Sequence, residues 1–133
     1  MTKATNRNNQ NASLLVNAEP KEVMQLRQDM PDWLWIEAPK RWPFANETEP
    51  VARAFQAIIV FTQQGTEAWA LAVCKQICEK QLLEEVPLLV AGSRYQIPLS
   101  HVVERLSRGS FIFTPVEEKT LLGRIQELKA EKL

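Results

Sequence analysis

The sequence predicts a doubly wound α/β domain, a five-stranded parallel sheet with helices on both faces. Three observations lead there. Five short runs are apolar at consecutive positions rather than at alternate ones, the pattern of strands buried on both faces. Segments with helical spacing or helix-start signals lie between them, and strands that alternate with helices build parallel sheets through right-handed crossovers. No internal repeat and no stretch rich in Gly, Ser or Pro divides the 133 residues, a length that suits one domain with one core.

Residues 1–12 are rich in Asn, Thr and Lys without apolar periodicity and read as a disordered leader; residues 13–133 read as the single domain. The first strand is Leu14-Leu15-Val16. A helix follows, with Pro20 suited to its first turn, Val23, Met24, Leu26, Arg27 and Met30 along one partly apolar face, and Pro31 as its stop. The second strand, Trp33-Leu34-Trp35-Ile36, is aromatic and β-branched. Glu37 to Pro50, with Pro39, Pro43 and Pro50, reads as an irregular connection leading to a short helix near Glu49 to Phe55.

The third strand is Ala57-Ile58-Ile59-Val60-Phe61, after which Thr62-Gln63-Gln64-Gly65 turns the chain and Thr66 caps a long helix through Leu83. Val86-Pro87-Leu88-Leu89-Val90-Ala91 is the fourth strand, with Pro at its entry, where a missing N–H is tolerated. Leu99, Val102, Val103 and Leu106 recur at helical spacing after Pro98 and Ser100, and Gly109 ends that helix. The fifth strand is Phe111-Ile112-Phe113. Thr114-Pro115-Val116-Glu117 then has the form of a capping box for a last helix with Leu121, Leu122, Ile125 and Leu128 on one side.

Composition removes several function classes. Sixteen Lys and Arg balance sixteen Asp and Glu, so no global positive field draws the chain to nucleic acid or an anionic membrane. No apolar run approaches the ~18 residues of a membrane span, and the polar N-terminus is unlike a secretory signal, so a cytoplasmic location is expected. Cys74 and Cys78 stand four apart in a helix, near one face, but only His101 could join them as a soft ligand and a zinc site needs about four. They read as small core residues beside Ala70, Val73 and Ile77, with neither disulfide nor metal expected. Four glycines, at 65, 92, 109 and 123, write no phosphate-binding glycine loop.

The order of elements, with Val86-Pro87-Leu88-Leu89-Val90-Ala91-Gly92 and Gly109-Ser110-Phe111-Ile112-Phe113-Thr114-Pro115 followed by a helix, resembles the receiver domains of two-component response regulators from about Leu14 to Leu128. The resemblance implies a flavodoxin-like (CheY-like) fold with strand order 2-1-3-4-5. Receivers end the first strand on two acids, place the phosphoacceptor Asp after the third, a Ser or Thr after the fourth, and Lys-Pro after the fifth. Laid on this chain without gaps, that spacing puts the acid pair on Asn17 and Ala18, the acceptor on Thr62, the hydroxyl on Gly92 and the Lys on Thr114. Phe111 and Pro115 alone match the family pattern.

Each replacement removes a physical contribution. Mg²⁺ prefers hard oxygen ligands and must neutralise charge on the transferred phosphoryl group, whereas Asn17 offers a neutral amide and Ala18 nothing. Glu19 leaves one carboxylate. Thr62 cannot form an acyl phosphate, Gly92 has no hydroxyl although Ser93 adjoins it, and Thr114 cannot make the Lys ion pair. A pseudo-receiver is therefore expected: a non-catalytic signalling or regulatory protein that binds a protein partner through a phosphorylation-independent scaffold, without cofactor or metal.

Candidate partner surfaces are Trp42, in Lys40-Arg41-Trp42-Pro43-Phe44, and the helix-four to helix-five face with His101, Arg105 and Arg108. Trp42 folded over the core is an equal reading, and a second copy of the chain is one compatible partner. The rival from another class is a small-molecule binder or enzyme at the strand ends, where doubly wound sheets hold ligands, lined by Asn17, Glu19, Thr62, Ser93 and Thr114.

Overall fold

The structure is a computed structural model, and it describes residues 11–38, 42, 55–63, 65–79, 86–93 and 109–130. Its elements in chain order are β1 (Ala12–Val16), α1 (Pro20–Asp29), β2 (Leu34–Glu37), β3 (Ala57–Phe61), α2 (Glu67–Cys78), β4 (Leu88–Gly92), β5 (Gly109–Phe113) and α3 (Glu118–Ala130). The five strands form one sheet in the order β2-β1-β3-β4-β5, every neighbouring pair parallel. The doubly wound class and the 2-1-3-4-5 order are thus those the sequence predicts.

Burial on both faces of β1, β3 and β4 explains their continuous apolar runs. Leu14, Val16, Ile58, Val60, Leu88 and Val90 pack toward Ala70, Val73, Cys74 and Ile77 of α2, while Leu15, Ile59, Phe61, Leu89 and Ala91 pack toward α1 and α3. The two sets alternate along each strand, as the pleat requires. Helix α1 contributes Val23 and Leu26 to the second face, with Met30 at its C-terminal boundary; α3 contributes Leu121, Ile125 and Leu128. Met24, on the same partly apolar stretch of α1, points outward and is exposed.

Boundaries differ from expectation where local signals compete. β1 begins at Ala12, inside the segment read as leader, because Ala12 pairs with Leu34 and is buried. β2 is shifted one residue later, to Glu37, and Trp33 instead stacks on Trp35 with centroids 5.1 Å apart. Gly109, read as a helix end, is the first residue of β5 opposite Leu88.

Thr114 is not the cap of the last helix. That helix starts at Glu118 with Leu121 N–H donating to Glu117 O, while Thr114 N–H donates to Gly92 O at 2.9 Å and the Thr114–Pro115 peptide is cis. That bond ties Thr114, just past the end of β5, to the last residue of β4, and the helix begins only at Glu118. The segments read as the 37–50 connection and its short helix, the end of the long helix beyond Cys78, and the helix of Pro98 to Leu106 lie largely or wholly outside the described residues.

Candidate functional site at the carboxyl ends of the strands

Register places the site. Val16 pairs with Val60, Phe61 with Ala91 and Gly92 with Phe113, so Asn17, Thr62, Ser93 and Thr114 all follow their strands at one edge of the sheet. Asn17 sits at φ 61°, the left-handed region that Asn tolerates better than most residues. From there its side chain reaches across the β1–β3 junction, where Nδ2 donates to Phe61 O at 3.2 Å and to Gln63 Oε1 at 3.0 Å. Phe61 O can only accept, so the amide nitrogen is the atom that faces it. An uncharged donor thus bridges the two strand ends at the position where the resemblance puts a metal-binding acid.

Thr62 is buried, and its hydroxyl lies 3.3 Å from that of Thr66. Thr66 precedes α2 as expected of its cap, but its oxygen serves the turn before the helix: it accepts from Gln63 N–H at 3.0 Å and donates to Gln63 O at 2.9 Å. Gly65, at φ 94°, makes the turn possible, and its N–H donates to Glu67 Oε1 at 3.0 Å. Hydroxyl, carboxylate and backbone groups together fasten the β3–α2 turn.

Two cavities open at this edge. The larger, about 560 Å³, runs between α1 and the ends of β3, β4 and β5 and is lined by Glu19, Lys21, Glu22, Gln25, Leu26, Phe61, Thr62, Gln63, Ser93, Thr114, Pro115 and Val116. The smaller, about 220 Å³, is lined by Asn17 with Leu15, Val16, Ala18, Glu37, Ala38 and Trp69. Four of the five residues expected to line a strand-end pocket, Glu19, Thr62, Ser93 and Thr114, share the larger cavity, and Asn17 borders the smaller. Ala18, half-buried, packs against the α1–α3 core.

Glu22, Lys21, Gln25 and Gln63 were not singled out in the sequence. Pro20 was the available signal for Glu22: a helix starting there makes residue 22 its third residue, and Glu22 Oε1 accepts from Glu19 N–H at 2.8 Å in a capping-box contact. Partial burial raises the Glu22 pKa above the ordinary carboxylate value, the bond from Glu19 N–H lowers it, and the Glu19 charge raises it again.

Trp42 is 1% exposed and belongs to the core on the α2 face, so it is not an outward contact residue. His101, Arg105 and Arg108 lie outside the described residues. Phe111 is buried in β5 and meets the exposed Phe113 edge-on, with centroids 5.7 Å apart. Cys74 is fully buried with its thiol pushed up to about 12 by that burial, and Cys78 is only half-buried, so the pair is not uniformly core. No group of three or more His, Cys, Asp or Glu residues is arranged to hold a metal among the described residues.

Comparison with solved structures gives the bacteriophytochrome response regulator AtBRR at a TM-score of 0.65 and 18% identity, over 89% of this chain and 91% of that one. The chain has a receiver-like fold. At that identity the likeness speaks to the fold alone. No family model matches the sequence, and no curated protein does. No helix among the described residues is long and apolar enough to cross a membrane.

Proposed function

We propose that the chain is a receiver-like signalling or regulatory module that engages a protein partner without aspartyl phosphorylation. One observation carries the reading: on a receiver-like sheet, the junction of β1 and β3 is closed by the Asn17 amide rather than by carboxylates. Phosphoryl transfer to a side chain needs an acceptor carboxylate and a cation to offset charge on the transferred group. Thr62 supplies a hydroxyl where that acceptor would stand, and Asn17 and Ala18 supply no negative charge for a cation. A scaffold kept without that chemistry is suited to recognition by its surface.

Incubation with acetyl phosphate and Mg²⁺ followed by intact-mass measurement tests the reading. The mass is expected to stay unchanged, and a partner captured by affinity is expected to bind treated and untreated protein equally. A stoichiometric gain of one phosphoryl group, or partner binding that depends on the treatment, overturns it.

A second reading is favoured by the cavity of about 560 Å³, within the range of roughly 300 to 1,000 Å³ typical of small-molecule sites. In that reading the strand-end pocket holds a small ligand and Glu19, Thr62, Ser93 and Thr114 contact it.

A further inference from the structure

We propose that the larger strand-end cavity is a binding site for a small organic cation, an amidinium or primary ammonium group carried on a flat apolar body. This rests on the second reading above and gives it a ligand chemistry. The cavity has an apolar floor of Phe61, Leu26 and Val116, each nearly or fully buried, and a polar mouth on α1. That division, an apolar body site with few polar groups at one end, is how small-ligand pockets fix orientation.

Charge selects the sign of the ligand. Helix N-termini attract anions, and doubly wound folds bring them to this edge of the sheet. Here each described helix already has glutamate in its first turn: Glu22 in α1, Glu67 in α2 and Glu118 in α3. At this cavity the first turn of α1 already carries the chain's own carboxylate, Glu22, with Glu19 just before it, so a phosphate or carboxylate ligand would meet like charge there. Glu22 stands at the cavity mouth and spends one oxygen on Glu19 N–H, while a carboxylate offers about four lone-pair sites. A planar amidinium can take the remaining positions with two parallel N–H donors. The partial burial that raises the Glu22 pKa also means that an incoming cation is repaid by relief of that unfavourable charge. Lys21, exposed at the same mouth, is the competing cation.

Three probes of one shape and three charges separate the alternatives: benzamidine, benzamide and benzoate, titrated into ¹⁵N-labelled protein. Benzamidine is expected to shift the amides of Glu22, Thr62, Ser93 and Val116 saturably, with benzamide and benzoate at least tenfold weaker. Glu22→Gln keeps the acceptor for Glu19 N–H and so keeps the fold, and it is expected to weaken benzamidine at least tenfold; Lys21→Ala is expected to tighten it. Benzoate or benzamide binding as tightly as benzamidine, or Glu22→Gln leaving benzamidine binding intact, overturns the cation assignment while the pocket reading stands. Failure of all three probes to move these amides overturns both.

Discussion

Replacing Asn17 by Asp isolates the contribution of one amide to the β1–β3 junction. The two residues have the same shape, tolerate φ 61° comparably and leave the unfolded chain nearly unchanged, so the variant differs chiefly in turning a donor into an acceptor. Two hydrogen bonds are lost, to Phe61 O at 3.2 Å and to Gln63 Oε1 at 3.0 Å, and a carboxylate then faces both acceptors. Net hydrogen bonds of this kind are worth ~0.5 to 1.5 kcal/mol each, and because Asn17 is exposed the new carboxylate can turn to water, which holds the total loss near ~1 to 2 kcal/mol. For a domain of this size that lowers Tm by about 3 to 8 °C.

The sign of the pH dependence follows. Repulsion from the two oxygens raises the pKa of the introduced Asp in the folded state above its unfolded value, so the loss is full above the folded pKa and fades as pH falls through it. Urea unfolding of both proteins at neutral pH and at acid pH measures this. Equal stability at neutral pH, or a loss that does not shrink in acid, would refute the bridging role of Asn17.

Thr114→Ala is expected to cost less than ~0.5 kcal/mol, because its hydroxyl caps no helix and only meets Gly92 O at 3.5 Å; a cap would be worth about 1 kcal/mol, and thermal melting distinguishes the two. Iodoacetamide is expected to label one cysteine in the native protein, the half-buried Cys78, and both in denaturant, as peptide mass mapping would show; the Cys74 thiol, pushed up to about 12 by burial, holds almost no thiolate at neutral pH. Glu22→Gln is expected to be more stable than the parent at neutral pH, because a raised folded pKa means that the ionised form costs stability, and the gap should close as pH falls through that pKa; chemical denaturation at several pH values checks it.

The sheet was legible because burial on both faces leaves a direct mark: Ile58, Ile59 and Val60 face opposite layers, yet all three must be apolar. Helix starts were legible where Pro and an acid fall together, as at Pro20 and Glu22, and illegible where pairing intervened. Thr114-Pro115-Val116-Glu117 satisfies a capping pattern, but a local pattern does not contain the bond from Thr114 N–H to Gly92 O, 22 residues away, that ties it to the end of β4. Trp42 shows the same limit from the other side. Two cations and two aromatics make a recognition-like composition, and only the packed core on the α2 face decides that Trp42 turns inward. The strand-end positions themselves followed from spacing, while the left-handed backbone of Asn17 and the contacts its amide makes with Phe61 O and Gln63 Oε1 are supplied by no spacing rule.

Magnesium offers the most economical discrimination between an uncharged junction and a working phosphoryl site. A ligand that binds only the folded state stabilises it by RT ln(1 + [L]/Kd), so 10 mM Mg²⁺ at a site with Kd of about 1 mM would add ~1.4 kcal/mol. That corresponds to a Tm rise of about 4 to 6 °C here. The junction holds Asn17 Nδ2 between Phe61 O and Gln63 Oε1, with its donors directed at the oxygens a cation would otherwise seek, and Glu19 lines the larger cavity while Asn17 borders the smaller. Glu19 and Glu22 are the carboxylates of the larger cavity, and one Glu22 oxygen is already taken by Glu19 N–H. Among the described residues no third acid, His or Cys joins them in an arrangement that holds a metal, which makes a weak magnesium site. The expected change between 10 mM Mg²⁺ and excess EDTA, at matched ionic strength, is therefore within ~1 °C by the same relation. A rise of several degrees would mean that Glu19 and its neighbours assemble a cation site despite the amide, and the case for a phosphorylation-independent module would lose its physical basis.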